Sequence, residues 1–126
     1  MKFIHLFFSL LMSGFAASQW NDPDRILWIS IYFATALLAL TAFTQVCKPC
    51  AQAWAIMLCI IALTMSLRTF SELISYIQTS SFGELFAPMS EHKSYSEETR
   101  EFLGLLIVML YSIFVAMQFH QNKSKK

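Results

Sequence analysis

Four apolar stretches dominate the chain: residues 3–17, 26–46, 51–67 and 102–119 contain no charged side chain. Short polar breaks at residues 19–25 and 47–50 separate the first three, and a long one, about 75–96, precedes the last. A helix rises about 1.5 Å per residue and a bilayer's hydrocarbon core is about 30 Å thick, so roughly 20 apolar residues span it, with about 17 to 25 as the working range. With their flanks all four stretches reach that range, which predicts spans at about 3–19, 26–46, 51–72 and 101–119. Backbone groups in lipid must pair within their own segment or in a closed barrel, and the strict apolar/polar alternation of barrel strands is absent. The expectation is a single all-α domain over residues 1–126, a polytopic membrane protein built as a four-transmembrane-helix bundle.

Composition strengthens that reading. Of 126 residues 13% are charged and 56% hydrophobic, with a mean hydropathy of +0.53, whereas soluble domains carry roughly 25% charged residues. The first stretch has a second reading: Lys2, the run 3–12 and Ala16-Ala17-Ser18 before Gln19 also fit a cleavable secretory signal. Retention is preferred, because removal leaves three spans with a less tidy charge balance.

Charge then suggests orientation. Lys2, Lys48, Lys123, Lys125 and Lys126 sit at one set of helix ends, and Arg25, Arg68, Lys93 and Arg100 at the other. Cations in short connections resist translocation while acids contribute little. The lysine tail is concentrated near its helix, and four spans bring both termini to one side. N-in, C-in in a bacterial inner (cytoplasmic) membrane is the expected topology. All eight acids then face outward: Asp22, Asp24, Glu72, Glu84, Glu91, Glu97, Glu98 and Glu101. Trp20 and Trp28 are expected at the outer interface and Trp54 at the inner, where amphipathic rings settle at headgroup depth. In the long connection Ser80-Ser81-Phe82-Gly83 and Pro88 break any helix, and Glu84-Leu85-Phe86-Ala87 is read as a loop packing on the bundle.

Helices gain no hydrophobic drive towards each other in lipid, so small and weakly polar residues mark the packed faces. Four stripes at helical spacing qualify: His5, Ser9, Met12, Ala16; Asp24, Trp28, Thr35, Ala39, Ala42; Ala55, Cys59, Ala62, Ser66, Thr69; and Glu97, Glu101, Gly104, Val108, Tyr111. They read as packing surface rather than as a cofactor pocket.

Two polar strings carry the candidate site. In Gln19-Trp20-Asn21-Asp22-Pro23-Asp24-Arg25, followed by Trp28 and Tyr32, Asp22 is an expected N-cap, Pro23 suits the first helical position and Asp24 faces the positive end of the helix dipole. Capping needs one such residue, and Asn21, Asp22 and Asp24 supply three. In the second string, residues 94–105, Ser94 and Glu97 have capping-box spacing, and Glu97 and Glu101 share a face at i, i+4, where they repel unless a cation such as Arg100 sits near. Gly104 permits a neighbouring backbone to approach. Both strings open a helix on the same side, so Asn21, Asp22, Asp24, Trp28, Glu98, Arg100 and Glu101 form one candidate binding or assembly cluster.

The Asn-Asp-Pro-Asp turn with a Trp four residues on, paired with Glu-Glu-x-Arg-Glu-Phe-x-Gly-Leu before the last span, resembles the transmembrane protein 220 family, small four-helix membrane proteins of bacteria and eukaryotes with no established biochemical activity. The four-span layout fits over the whole chain; the specific motifs cover residues 21–28 and 97–105. The resemblance transfers no catalytic residue. It implies that the two strings belong together as a functional or assembly surface.

Cys47-Lys48-Pro49-Cys50 lies outside those motifs. A cysteine pair at a helix start beside a cation has thiol-oxidoreductase character, but the N-in topology places it in the cytoplasm, where thiols stay reduced. Two cysteines do not complete a tetrahedral zinc site, and Cys59 is about 13 Å further along the helix. Arg68 and Glu72, one turn apart, read as a structural pair near a surface, and His5 as a solvated or packed residue. No phosphate loop, nucleophile elbow or His-x-x-x-His pair occurs. The short lysine tail gives no basis for nucleic-acid binding.

No catalytic residue, metal site or cofactor is identified. The expected function is a non-enzymatic membrane component whose polar cluster binds a protein partner, a second copy, a lipid headgroup or a cation. The alternative is a membrane enzyme using Asp22, Asp24, Glu98 and Glu101 with a divalent cation on a lipid, and a further one a thiol-redox protein using Cys47 and Cys50.

Overall fold

The computed structural model describes residues 2–79 and 94–125. Four helices carry nearly all of them: α1 Lys2–Ser18, α2 Arg25–Thr44, α3 Lys48–Thr79 and α4 Ser94–Ser124. Four segments are long and apolar enough to cross a membrane: Lys2–Asn21, which is α1 with the turn that follows it, Arg25–Thr44, Lys48–Ser71 and Arg100–Ser124. α1 packs along α2 and α3 along α4; α2 joins the two pairs by touching both α3 and α4. Glu84-Leu85-Phe86-Ala87, Glu91 and Lys93 lie outside the described residues, as do the side chains of Glu72, Glu97 and Glu98.

The third helix outlasts its expected span. With 32 residues α3 is about 48 Å long at about 1.5 Å per residue, so its last turns extend beyond a hydrocarbon core of about 30 Å. Ser75 to Thr79, expected to begin the long connection, are helical. No glycine or proline interrupts the chain between Pro49 and Gly83, and a helix leaving the membrane loses nothing by continuing through polar residues in water.

Alanines line many of the helix contacts inside the bundle, and large apolar side chains cover its outer surface, where a soluble protein would be polar. Ala36, Ala39, Ala42, Ala51, Ala55 and Ala62 are buried, while Phe3, Phe7, Leu10, Ile26, Phe33, Ile60, Leu67 and Leu110 face outward. The buried residues form two contiguous clusters. One gathers Met12, Ala16, Trp28, Tyr32, Leu105 and Val108; the other Leu38, Ala39, Ala55, Tyr111, Val115 and Phe119. The expected stripes fall on these faces: His5, Met12, Ala16, Thr35, Ser66, Gly104, Val108 and Tyr111 are buried, with Ser9, Cys59 and Thr69 at the margins and Asp24 exposed. The buried Ser112 hydroxyl has no partner among the described residues, whereas two other hydroxyls inside the bundle fold back onto their own helix, Thr35 donating to the Ile31 carbonyl at 2.8 Å and Ser66 to that of Ala62 at 2.7 Å. Each therefore enters lipid already bonded.

The turns show how the chain reverses. α2 ends on Gln45, held left-handed at φ 55°, with its N–H donating to Thr41 O at 2.8 Å. At the other end, a short 3₁₀ turn over Gln19–Asn21 leads into the polar connection before α2.

Candidate binding and assembly site

Asp22 organises the first string. Its Oδ1 accepts the Asp24 backbone N–H at 2.8 Å, and its carbonyl accepts that of Arg25 at 3.2 Å. This corrects the expected cap by two residues: α2 begins at Arg25, the cap position is Asp24, and Asp24 makes no side-chain capping bond. The physical task is the same. An Asp side chain readily bonds the backbone two residues on, and Pro23, with φ fixed and no N–H to satisfy, sits inside that turn. Asp22 is buried, 6% exposed, whereas Asn21 and Asp24 face outward. A broad depression of about 840 Å³ runs beside this turn, bordered by Asn21, Asp22, Asp24, Arg25 and Leu27.

Trp28 turns inward. As its place in the packed stripe of the second span predicts, it is 3% exposed, and it stacks beside Tyr32 with ring centroids 6.0 Å apart, whereas Trp20 is exposed. One turn below Trp28, Tyr32 reaches α4. A Cβ built on Gly104 would overlap the Tyr32 hydroxyl. The close approach expected at Gly104 is therefore a phenol seated on the glycine, not a neighbouring backbone. The carboxylates of Asp22 and Glu101 both lie within electrostatic reach of that hydroxyl. Tyr32 thus links the two strings, and its membership of the first string's helical face was the available signal for it.

From the second string, Glu101 and Arg100 are half-buried at this end of α4. The Nε and Nη2 atoms of Arg100 are buried and have no hydrogen-bond partner among the described residues. Glu98 lies outside those whose side chains are described, so its expected place in the cluster has no structural account. Among the described residues no three His, Cys, Asp or Glu side chains stand together in a group able to hold a metal ion. Arg68 is exposed, and its expected partner Glu72 has no described side chain.

A second polar contact, missed in the sequence, joins the opposite ends of the chain. His5 is 1% exposed, and its Nδ1 is hydrogen-bonded to the Tyr111 hydroxyl at 2.9 Å. Phe8 stacks on Tyr111 with centroids 4.3 Å apart and Phe114 lies against His5 at 5.9 Å. The Gln118 carboxamide approaches the same imidazole, yet His5 Nε2 and Gln118 Oε1 make no hydrogen bond of good geometry. The available signal was spacing: His5, Met12 and Ala16 repeat along one face of α1.

Cys47 and Cys50 are joined in a disulfide, where the orientation read from charge expected two free thiols. Cys47 occupies the cap of α3, its carbonyl accepting Ala51 N–H at 2.9 Å. This turn brings the two Cα atoms to 5.3 Å, inside the range that a disulfide requires. Cys59 is free and half-buried.

Residues 10–117 match the family model described as transmembrane family 220, helix. No curated protein and no solved structure matches the chain.

Proposed function

The chain belongs to transmembrane family 220, and we propose that it serves as a non-catalytic binding or assembly component of the membrane, using the end of the bundle formed by Asp22, Tyr32, Arg100 and Glu101. The single observation that supports this most is Arg100. A guanidinium presents its N–H groups in a planar fork suited to carboxylate and phosphate oxygens, and leaving buried donors unpaired costs about 1–3 kcal/mol each, more for a charged group. An oxyanion supplied by a partner protein or a lipid headgroup would satisfy Nε and Nη2 together. The exposed Asn21 and Asp24 border the depression along the Asp22 turn and offer polar contacts at its rim.

Mild-detergent purification of the full chain, followed by identification of bound proteins and lipids, tests the reading. Arg100→Gln should lose a partner that the unaltered chain retains, and Asp22→Asn and Glu101→Gln should weaken its recovery. Identical partners and yields for all three variants would end the proposal.

We place this end outside a bacterial inner membrane, with both termini in the cytoplasm, on the strength of the lysine tail. A Ser124→Cys substitution in a chain whose native cysteines are replaced by serine should react with a membrane-impermeant maleimide only after cells are permeabilised. Labelling in intact cells would reverse the orientation.

A further inference from the structure

At the opposite end of the bundle a pair of cysteines stands apart from the cluster just described. Cys47 and Cys50 close a disulfide over Lys48 and Pro49 at the start of α3. The two sulfurs differ in environment: Cys50 is exposed, Cys47 is half-buried and at the helix cap. Beside the bridge a cavity of about 140 Å³ opens between α3 and α4, lined by Lys48, Pro49, Gln52, Phe119, Asn122 and Lys123. Its floor is apolar and two of its walls carry lysines.

We propose that Cys47 and Cys50 form an exchangeable redox disulfide that takes two electrons from a dithiol partner docking at this end of the bundle. The partner's thiolate attacks the exposed Cys50 Sγ. The Cys47–Cys50 bond breaks, its electron pair leaves on Cys47 Sγ, and a mixed disulfide joins Cys50 to the partner. The leaving thiolate forms where a helix N-terminus and the charge of Lys48 favour an anion, and Lys123 adds a second cation across the cavity. The partner's second thiol, on losing its proton, attacks its own sulfur in the mixed disulfide and releases Cys50. The partner ends as a disulfide, and the chain as two thiols that have taken up the partner's two protons.

Composition and location argue for exchange rather than reinforcement. A bridge across two intervening residues closes a small loop, and the stabilisation expected from a cross-link grows with loop length. The proposal draws on the N-in orientation in one respect: disulfides on a cytoplasmic face are usually transient and catalytic or redox-sensing. Cys59, one helical face away and half-buried, takes no part.

The test is a redox titration of the full chain in detergent against graded ratios of reduced and oxidised dithiothreitol, quenched with acid and read by a thiol-specific mass tag. Two of the three cysteines should titrate together in one two-electron transition without denaturant, and Cys59→Ala should leave that transition in place. In single variants that elute like the parent, Cys50 left alone by Cys47→Ser should capture an activated disulfide about tenfold faster than Cys47 left alone by Cys50→Ser, since exposure governs which sulfur exchanges. A bridge that opens only after unfolding would overturn the proposal. So would a pair that stays reduced in oxidised dithiothreitol, or equal capture rates on the two cysteines. Partner loss in Arg100→Gln is read separately and does not bear on this result.

Discussion

The Tyr32 hydroxyl is seated on Gly104, so that α2 and α4 meet where a side chain on the glycine would occupy the same space. The contact joins two segments 72 positions apart in the chain. It also sits directly below the polar end that Asp22 and Glu101 flank.

Gly104→Ala should destabilise the bundle by roughly 1–3 kcal/mol, the range for overpacking a filled interior. Tyr32→Phe removes the atom in closest conflict, so the double variant should recover part of the loss. The coupling is read from a double-mutant cycle on unfolding in detergent. Strict additivity of the two changes would show that the residues do not meet.

His5 and Tyr111 make a second clamp, between α1 and α4. Tyr111→Phe leaves His5 Nδ1 inside the bundle without its partner and should cost about 0.5–2 kcal/mol, the scale of polar contacts between membrane helices. His5→Ala should cost more, because it also empties the space beside Phe114 and Tyr111. Equal unfolding midpoints for Tyr111→Phe and the parent would remove the hydrogen bond from the account.

Asp22 has a structural task and a proposed binding task, and two substitutions separate them. Asn keeps an oxygen able to accept the Asp24 N–H, so Asp22→Asn should unfold like the parent while weakening partner recovery. Asp22→Ala removes the acceptor and should cost about 1 kcal/mol, comparable with losing a helix cap. A difference in stability as large for Asn as for Ala would show that charge, and not the turn, holds Asp22 in place.

Gln45 occupies the left-handed region, φ 55°, at the end of α2. A residue with a Cβ is disfavoured there by about 1–2 kcal/mol, and glycine avoids the clash at some cost in chain entropy. Gln45→Gly should raise the unfolding midpoint slightly, with a net gain below about 1 kcal/mol. A drop would mean that the Gln45 side chain contributes contacts that outweigh the backbone term.

Much of the architecture is readable in one dimension because lipid imposes a simple rule: a spanning helix is apolar throughout, and only its small residues admit a neighbour. Ala55, Ala62 and Ser66, or Thr35, Ala39 and Ala42, could be assigned to packed faces from spacing alone, and they are buried. The limits of elements were less legible. Nothing in Ser75 to Thr79 marks where α3 stops, and Asp22 could cap a helix starting at Pro23 as readily as shape the turn that precedes one starting at Arg25.

The family was legible too, since residues 21–28 and 97–105 are local strings and the match over residues 10–117 agrees with them. What the sequence by itself determined is therefore the solvent of each segment, the number of spans, the inward faces and the kinship, all properties of hydropathy and periodicity within single helices. The tertiary structure alone decided which side chains meet: Tyr32 on Gly104, His5 with Tyr111, Trp28 stacked beside Tyr32, and the Cys47–Cys50 bridge. The physical reason is that helical period specifies a face but not the neighbour it meets. That choice depends on how α2 settles against both α3 and α4, and on a local turn that brings two cysteines within bonding reach.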